Sequence, residues 1–206
     1  MTALSEPLSR KFYLRDTLLV AGSLLGKFIV RRIGNKIIKA MIVETEAYIG
    51  DHDPASHSYG RVTGRNKVMF GIGGTAYVYF IYGNHYCFNA VTGREGKGDA
   101  VLIRGAEIVE GSDTAAKFRK FPDDLHNLAN GPGKLCEALC IDKSFNGHDL
   151  TERSNLFIAG GKRIPPAVRI QTPRIGISKG NELHYRFIIS RNPCITKHAY
   201  NPVKKK

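Results

Sequence analysis

The segment Ile42-Val43-Glu44-Thr45-Glu46-Ala47-Tyr48 carries two carboxylates two residues apart. On a strand, alternation groups Ile42, Glu44, Glu46 and Tyr48 on one side and Val43, Thr45 and Ala47 on the other. At roughly 3.3 Å per residue the two glutamate Cα atoms stand about 6.6 Å apart. That is within reach of the spacing used to hydrolyse glycosidic bonds, where one carboxylate draws a proton from water and nearby negative charge stabilises an oxocarbenium-like sugar. A solvent-exposed polar face would account for the same pair, and the face argument does not choose between Glu44 and Glu46. The setting favours chemistry. Tyr48 follows directly, a histidine-containing loop begins at Asp51, and the chain carries 31 Lys plus Arg against 18 Asp plus Glu, a net charge of +13. A carboxylate on a phosphate-binding surface repels its ligand, so its presence there calls for a role.

The run Tyr77 to Asn89, YVYFIYGNHYCFN, holds seven aromatic or imidazole rings. Aromatic and β-branched residues favour strands, and Gly83-Asn84 between two such runs supplies the positive φ values of a tight hairpin turn. Tyr82 then stands at the turn. On a basic surface a projecting ring can stack on bases or wedge between them. Most strand aromatics, by contrast, fill cores.

Other motifs are weaker. Asp51, His52, Asp53 and His57 are metal-ligand types, but the two histidines lie five residues apart in a loop and no HxH or HExxH pattern is present. His57 is better read as a hydrogen-bonding group at a site edge, and no metal is expected. GIGG (Gly71 to Gly74) precedes a strand and so lacks the context of a dinucleotide fingerprint, while GPGK (Gly131 to Lys134) is followed by Leu135 where a P-loop needs Ser or Thr. Lys134 could still meet a DNA phosphate near a helix start. Cys87, Cys136, Cys140 and Cys194 form no CxxC pair, which argues against a zinc ribbon or iron–sulfur cluster and for reduced core thiols. No cofactor is expected.

Around these residues the chain reads as one α+β domain over 1–206, with residues 1–12 and 200–206 expected to be flexible. Asp16 is an N-cap for a first helix with Leu14, Leu18, Ala21 and Leu25 on one face. This argues against reading Arg10 to Lys27 as a signal peptide and for an intracellular protein of the cytoplasm or nucleoid. FIVRR, a turn at Gly34-Asn35 and KIIKAMIVETEAYIG begin a sheet. Residues 51–74 form a long functional loop. Ala100 to Glu110 is a strand interrupted by Arg104, residues 112–130 have moderate helical character, and Pro132 opens a short helix through Leu139. Leu156 to Ala159 and Arg186 to Ser190 are the last strands. Strands joined mainly by turns, with helices at the periphery, imply a curved antiparallel sheet bearing a protruding hairpin. No apolar run approaches the roughly 18 residues of a spanning helix, so a membrane partner is not expected.

VETEAY, AxHS (Ala55 to Ser58), GRxTxRN ending at Asn66, Met69-Phe70, YVYxIYG, CxN (Cys87 to Asn89), VLxR (Val101 to Arg104) and GPxKLCxAL (Gly131 to Leu139) occur in order. Together they resemble the alkyladenine (3-methyladenine) DNA glycosylase family over about Leu14 to Ile189. The resemblance implies a monofunctional glycosylase that needs neither metal nor lysine Schiff base and acts on double-stranded DNA containing damaged purines; a monomer is expected because a one-domain enzyme working on DNA strands has no need of symmetry. It selects Glu46 as the residue that activates water, with Arg104 holding water and carboxylate. Tyr48, His57 and Tyr79 then line the base pocket, Asn89 lies at its floor, and Tyr82 occupies the gap left by the extruded nucleotide. Arg61, Arg65 and Lys134 are candidates for DNA backbone contacts. The long N-terminal extension of mammalian members is missing, as in a bacterial-type member. Competing readings are a non-enzymatic nucleic-acid-binding module and a hydrolase of free nucleosides, which would leave the positive charge without a purpose.

Overall fold

The computed structural model describes residues 6–202. Two short helices, α1 (Arg10–Tyr13) and α2 (Thr17–Leu24), precede the hairpin β1 (Phe28–Ile33) and β2 (Lys36–Tyr48). Then come β3 (Ala76–Ile81), β4 (His85–Thr92), β5 (Asp99–Glu110), α3 (Ser112–Phe118), α4 (Pro132–Ala138), β6 (Leu156–Ala159), β7 (Arg169–Thr172) and β8 (Arg186–Ile189). The strands form one curled antiparallel sheet in the order β3-β4-β5-β2-β1-β6, with β8 pairing both β2 and β7. Strand β2 is its axis. The first half of β2 pairs with β1, whereas Glu44 to Glu46 pair with β8 along the same edge. This α+β architecture is the one the sequence pattern implies.

Helix α2 starts later than the periodicity suggests. The Asp16 side chain accepts a bond from Leu19 N (3.0 Å), which fixes Asp16 as the N-cap and leaves Leu14 outside the helix. The face that packs is therefore Thr17, Val20, Ala21 and Leu24, and Leu14 is exposed. α1 and β7 carried no sequence signal. α1 is a single turn, and β7 (RIQT) is a polar strand with little burial that exists because β8 pairs with it. The termini expected to be flexible fall partly outside the described residues. Within the described part, Leu8 N bonds Ile158 O, and Arg10 pairs with Asp149.

The decisive local feature is a pair of bulges. Along the β2–β5 ladder Ile42 faces Ala106, Glu44 faces Gly105 and Thr45 faces Ile103. Val43 and Arg104 are thus the unpaired extra residues of their strands, and the two insertions cancel. An extra residue reverses the side-chain alternation beyond it. Ile42 consequently shares the main core with Ala47, and Thr45 Oγ1 bonds Ala21 O on that side. Val43 packs with Ile188, Cys194 and Ile195 in a second cluster. The simple alternation that grouped Ile42 with the glutamates is corrected accordingly. Glu44, Glu46 and Tyr48 still share a face, but Ile42 does not.

The aromatic hairpin is present, with Ile81 opposite His85 and a three-residue tip of Tyr82, Gly83 and Asn84. Positive φ falls on Tyr82 (55°) and Gly83 (74°), one residue earlier than the Gly-Asn pattern implies. A bulky residue in the left-handed region costs on the order of 1–3 kcal/mol. The tip therefore holds Tyr82 outward, 79% exposed, at an energetic cost.

Gly105 faces Glu44 across the bulge, and a Cβ there would lie 3.1 Å from Glu44 Oε2 and 3.2 Å from Cys194 O. Gly105→Ala is expected to destabilise the protein by about 1–3 kcal/mol, read as a lower melting temperature in calorimetry. An unchanged melting temperature would show that the bulge has room for a side chain.

Candidate active site

A cavity of about 370 Å³ lies between the hairpin, the ends of β2 and β5, and the segment Ile175 to Lys179. Tyr82 is at its mouth, since it both lines the cavity and is exposed. Cys87, Asn89 and Leu102 line its inner end and are almost fully buried. Asn89 is fixed by Nδ2, which donates to Tyr77 O at 3.0 Å. Tyr48, His57 and Tyr79 supply rings to the lining.

Glu46 is completely buried and stands just behind this lining. Its Oε1 accepts from Ile175 N (2.9 Å), and its Oε2 accepts from the Tyr48 hydroxyl (2.9 Å) and lies 3.5 Å from Arg104 Nη1. All three partners line the cavity. The carboxylate is therefore one bond removed from the open space and aimed by groups that border it. Burial, then the Glu46 charge, pushes the Tyr48 phenol well above its ordinary range, so it stays protonated and donates. For Arg104, burial pulls the guanidinium down, but Glu46 and then Glu44 outweigh it, and the net shift is upward.

Glu44 is equally buried but faces away from the cavity. It binds Arg186 Nε at 2.6 Å and both the backbone N and Oγ1 of Thr196 at 2.8 Å. Arg104 Nε lies 3.2 Å from Glu44 Oε1, close enough for attraction but misaligned for a hydrogen bond. The geometry thus separates two glutamates that the sequence face alone could not.

Behind Tyr48 lies Arg174, fully buried, its guanidinium 4.7 Å from the centre of the Tyr48 ring and 5.4 Å from that of Tyr185. Asp53 grips Arg174 with both oxygens, Nη2 to Oδ1 at 2.7 Å. Breaking such a buried pair costs about 3–5 kcal/mol. Neither Arg174 nor Ile175 is marked in the sequence, because PRIGIS has no period and no recognised motif. The four residues weighed as metal ligands diverge. Asp53 goes to Arg174, Asp51 to Lys97, His52 to Tyr185 and His57 Nδ1 to the Tyr77 hydroxyl (3.1 Å).

His57 sits edge-on to Tyr79, ring centres 4.6 Å apart, and its carbonyl accepts from Asn66 Nδ2 (2.6 Å). One edge of the imidazole is open at the cavity, yet burial against the two tyrosines, and then the nearby Arg65, pushes its pKa below the ordinary value. Arg65 itself leans over Tyr79 (5.4 Å), donates to Phe80 O (3.1 Å) and is exposed. Arg61 is exposed on the same loop, and Lys134 Nζ bonds Asn130 Oδ1 at 2.9 Å.

The site thus combines a carboxylate buried just behind a ring-walled cavity with a strongly basic chain. A family model described as Methylpurine-DNA glycosylase (MPG) matches residues 11–193. The chain belongs to this family. It is accordingly a DNA glycosylase, a hydrolase of N-glycosyl bonds. Similar proteins bear the name "Putative 3-methyladenine DNA glycosylase". One from Carboxydothermus hydrogenoformans is 46% identical over 190 residues, covering 92% of this chain and 98% of that one. Another from Methanocella arvoryzae is 43% identical over 197 residues, covering 93% and 96%. One from Desulfitobacterium hafniense is 48% identical over 183 residues, covering 85% and 89%. Among the described residues of this glycosylase, no helix is long and apolar enough to cross a membrane.

The lowered His57 pKa gives a stability prediction. The unfolded chain takes up a proton near pH 6.5 that the folded state resists, so this contribution is complete above that pH and declines as pH falls below it. Urea unfolding is expected to show a lower midpoint at pH 5.5 than at pH 7.5, with the gap narrowed in His57→Asn. An equal gap in that variant would place the titration elsewhere.

Proposed function

We propose that this glycosylase excises alkylated purines such as 3-methyladenine from duplex DNA, flipping the nucleotide into the cavity and cleaving its glycosidic bond with a water activated by Glu46. The observation that carries this reading is the placement of the Glu46 carboxylate, held by Tyr48, Arg104 and Ile175, which all border the cavity. A base lying against Tyr48 and Tyr79 would bring its C1′ and a water toward that carboxylate. Glu46 takes the water proton as the oxygen bonds to C1′, and the C1′–N electron pair departs with the base. An N-alkylated purine is cationic and leaves as a neutral base, so the scheme needs little help at the leaving group.

Arg61, Arg65 and Lys134 are assigned to the DNA backbone, where phosphate contacts set register without reading sequence. Tyr82 fills the vacated stack, offsetting the few kcal/mol that extrusion costs. Asn89 borders the far end of the base, and His57 closes its edge. A cationic base gains about 0.5–2 kcal/mol from tyrosine faces. Arg174 and Arg65 already lie over Tyr48 and Tyr79, which argues for the lower end of that range. The protein is read as a monomeric, single-domain enzyme of the cell interior that starts base excision repair.

Incubation with methylated duplex DNA followed by chromatography of the supernatant tests the reading directly. Free alkylated purine is the expected product, and an unchanged duplex would overturn it. Glu46→Gln is expected to retain lesion binding while excision drops by about 10²-fold or more; near-normal release of base would remove Glu46 from the role. Tyr82→Ser is expected to weaken binding to lesion duplex more than binding to undamaged duplex in a fluorescence titration, and equal losses would exclude a wedge.

A further inference from the structure

The mechanism above uses Glu46 and Arg104 but leaves unexplained why two more buried ions and a half-buried threonine converge behind them. Glu44, Arg186 and Thr196 form a closed set. Glu44 receives Arg186 Nε at 2.6 Å on Oε1, and the Thr196 backbone N and hydroxyl at 2.8 Å each on Oε2. Arg186, fully buried, also reaches Thr172 Oγ1 and Asn201 Oδ1 at 3.0 Å each. Asn201 Nδ2 returns to Thr196 O at 2.9 Å. Thr196 and Asn201 lie beyond residue 193, where the family match ends.

Arg104 connects this set to the site. Its Nε stands 3.2 Å from Glu44, whereas its Nη1 is 3.5 Å from Glu46, at the outer limit of a hydrogen bond. The guanidinium is therefore shared between the two carboxylates, attracted by Glu44 and hydrogen-bonded at long range to Glu46. Glu44 in turn has its Oε2 oriented by the segment that carries Thr196.

We propose that Thr196 is a positioning residue for base excision, its backbone N–H and hydroxyl fixing Glu44 so that Arg104 is held against Glu46. This rests on the reading of Glu46 as the base. The segment 194–201 thus acts as a strut of the active site although it does not line the cavity. Without the hydroxyl, one Glu44 oxygen keeps only the backbone donor, Glu44 can rotate toward Arg104, and the 3.5 Å contact to Glu46 lengthens. Arg104 drawn away from Glu46 leaves that carboxylate with less positive charge beside it. The titratable groups facing Glu46 are Tyr48 on its own strand, Arg104 on β5, Tyr79 on β3, Cys87 on β4, and Arg174 behind Tyr48. Thr196 contacts none of them, so an effect of altering Thr196 on the site around Glu46 must travel through Glu44 and Arg104.

The experiment is single-turnover excision of a methylated base from duplex DNA across pH 5 to 9, with lesion-duplex affinity measured in parallel. Thr196→Val is expected to slow excision about tenfold and move the acid limb of the rate profile to higher pH, with affinity changed less than about twofold. Thr196→Ser, which keeps the hydroxyl, is expected to restore both. A Thr196→Val enzyme with the wild-type rate and limb overturns the proposal. If that variant does not fold, Asn201→Ala, which loosens the same loop from outside, carries the test. It is expected to shift the limb in the same direction with a smaller rate loss, and an unshifted limb is fatal to the idea. Full excision by Glu46→Gln would instead overturn the reading beneath it, whereas inactive Glu46→Gln beside unaffected Thr196→Val would overturn the strut alone.

Discussion

One guanidinium facing two carboxylates inside a sheet is the constraint around which the rest of this structure is arranged. Glu44, Glu46 and Arg186 are completely buried and Arg104 nearly so. Removing any one of these ions from water costs several kcal/mol even after relaxation, so none could stand there alone. Two negative and two positive charges cancel, and bonds from Tyr48, Ile175 and Thr196 satisfy most of the remaining oxygen lone pairs. The cluster tolerates burial only as a set. This explains why elements distant in sequence meet on β2. Strand β5 brings Arg104, β8 brings Arg186, and two loops supply backbone N–H groups.

The sheet accommodates the cluster through its irregularities. A regular ladder would place Val43 among the core residues with Thr45 and Ala47, and Arg104 would have a direct partner on β2. The paired bulges instead free Arg104 to swing across both glutamates, and Gly105 leaves room for the Glu44 carboxylate. The hairpin tip carries backbone strain for a different reason. Tyr82 in a left-handed conformation is held away from the body of the protein, which is useful only if something outside is to be met.

The cavity walls are likewise set from behind. Tyr48 is pinned by its bond to Glu46 and by the Arg174 guanidinium stacked against it, and Arg174 is fixed in turn by Asp53. Tyr79 is braced by His57 and capped by Arg65. Under the proposed function, rings held this way would lose little freedom on binding a base, which would lower the entropic cost. Positive charge close to both rings also tempers their attraction for a cation.

Much of this was legible in the amino-acid order. Alternation and turn residues announced the β1–β2 hairpin, the long β2, the aromatic hairpin and β5, because strand pairing of half-buried segments leaves a period of two. Ordered motifs identified the family, and with it Glu46, Tyr48, His57, Tyr79, Tyr82, Asn89 and Arg104 as candidates. Pattern failed where burial is complete or absent. It misassigned Ile42, because a bulge changes parity without changing composition, and it did not register β7, whose residues are held by a neighbour rather than by their own apolar face. It also could not rank Glu44 against Glu46. Both are buried glutamates on one face, and they differ only in what the folded chain brings to them. The sequence by itself determined which side chains could do chemistry and which strands would carry them. Tertiary structure decided which carboxylate is held by the groups that line the cavity and which anchors the C-terminal segment, since hydrogen-bond partners more than a hundred residues away are fixed by the fold and leave no local periodicity to read.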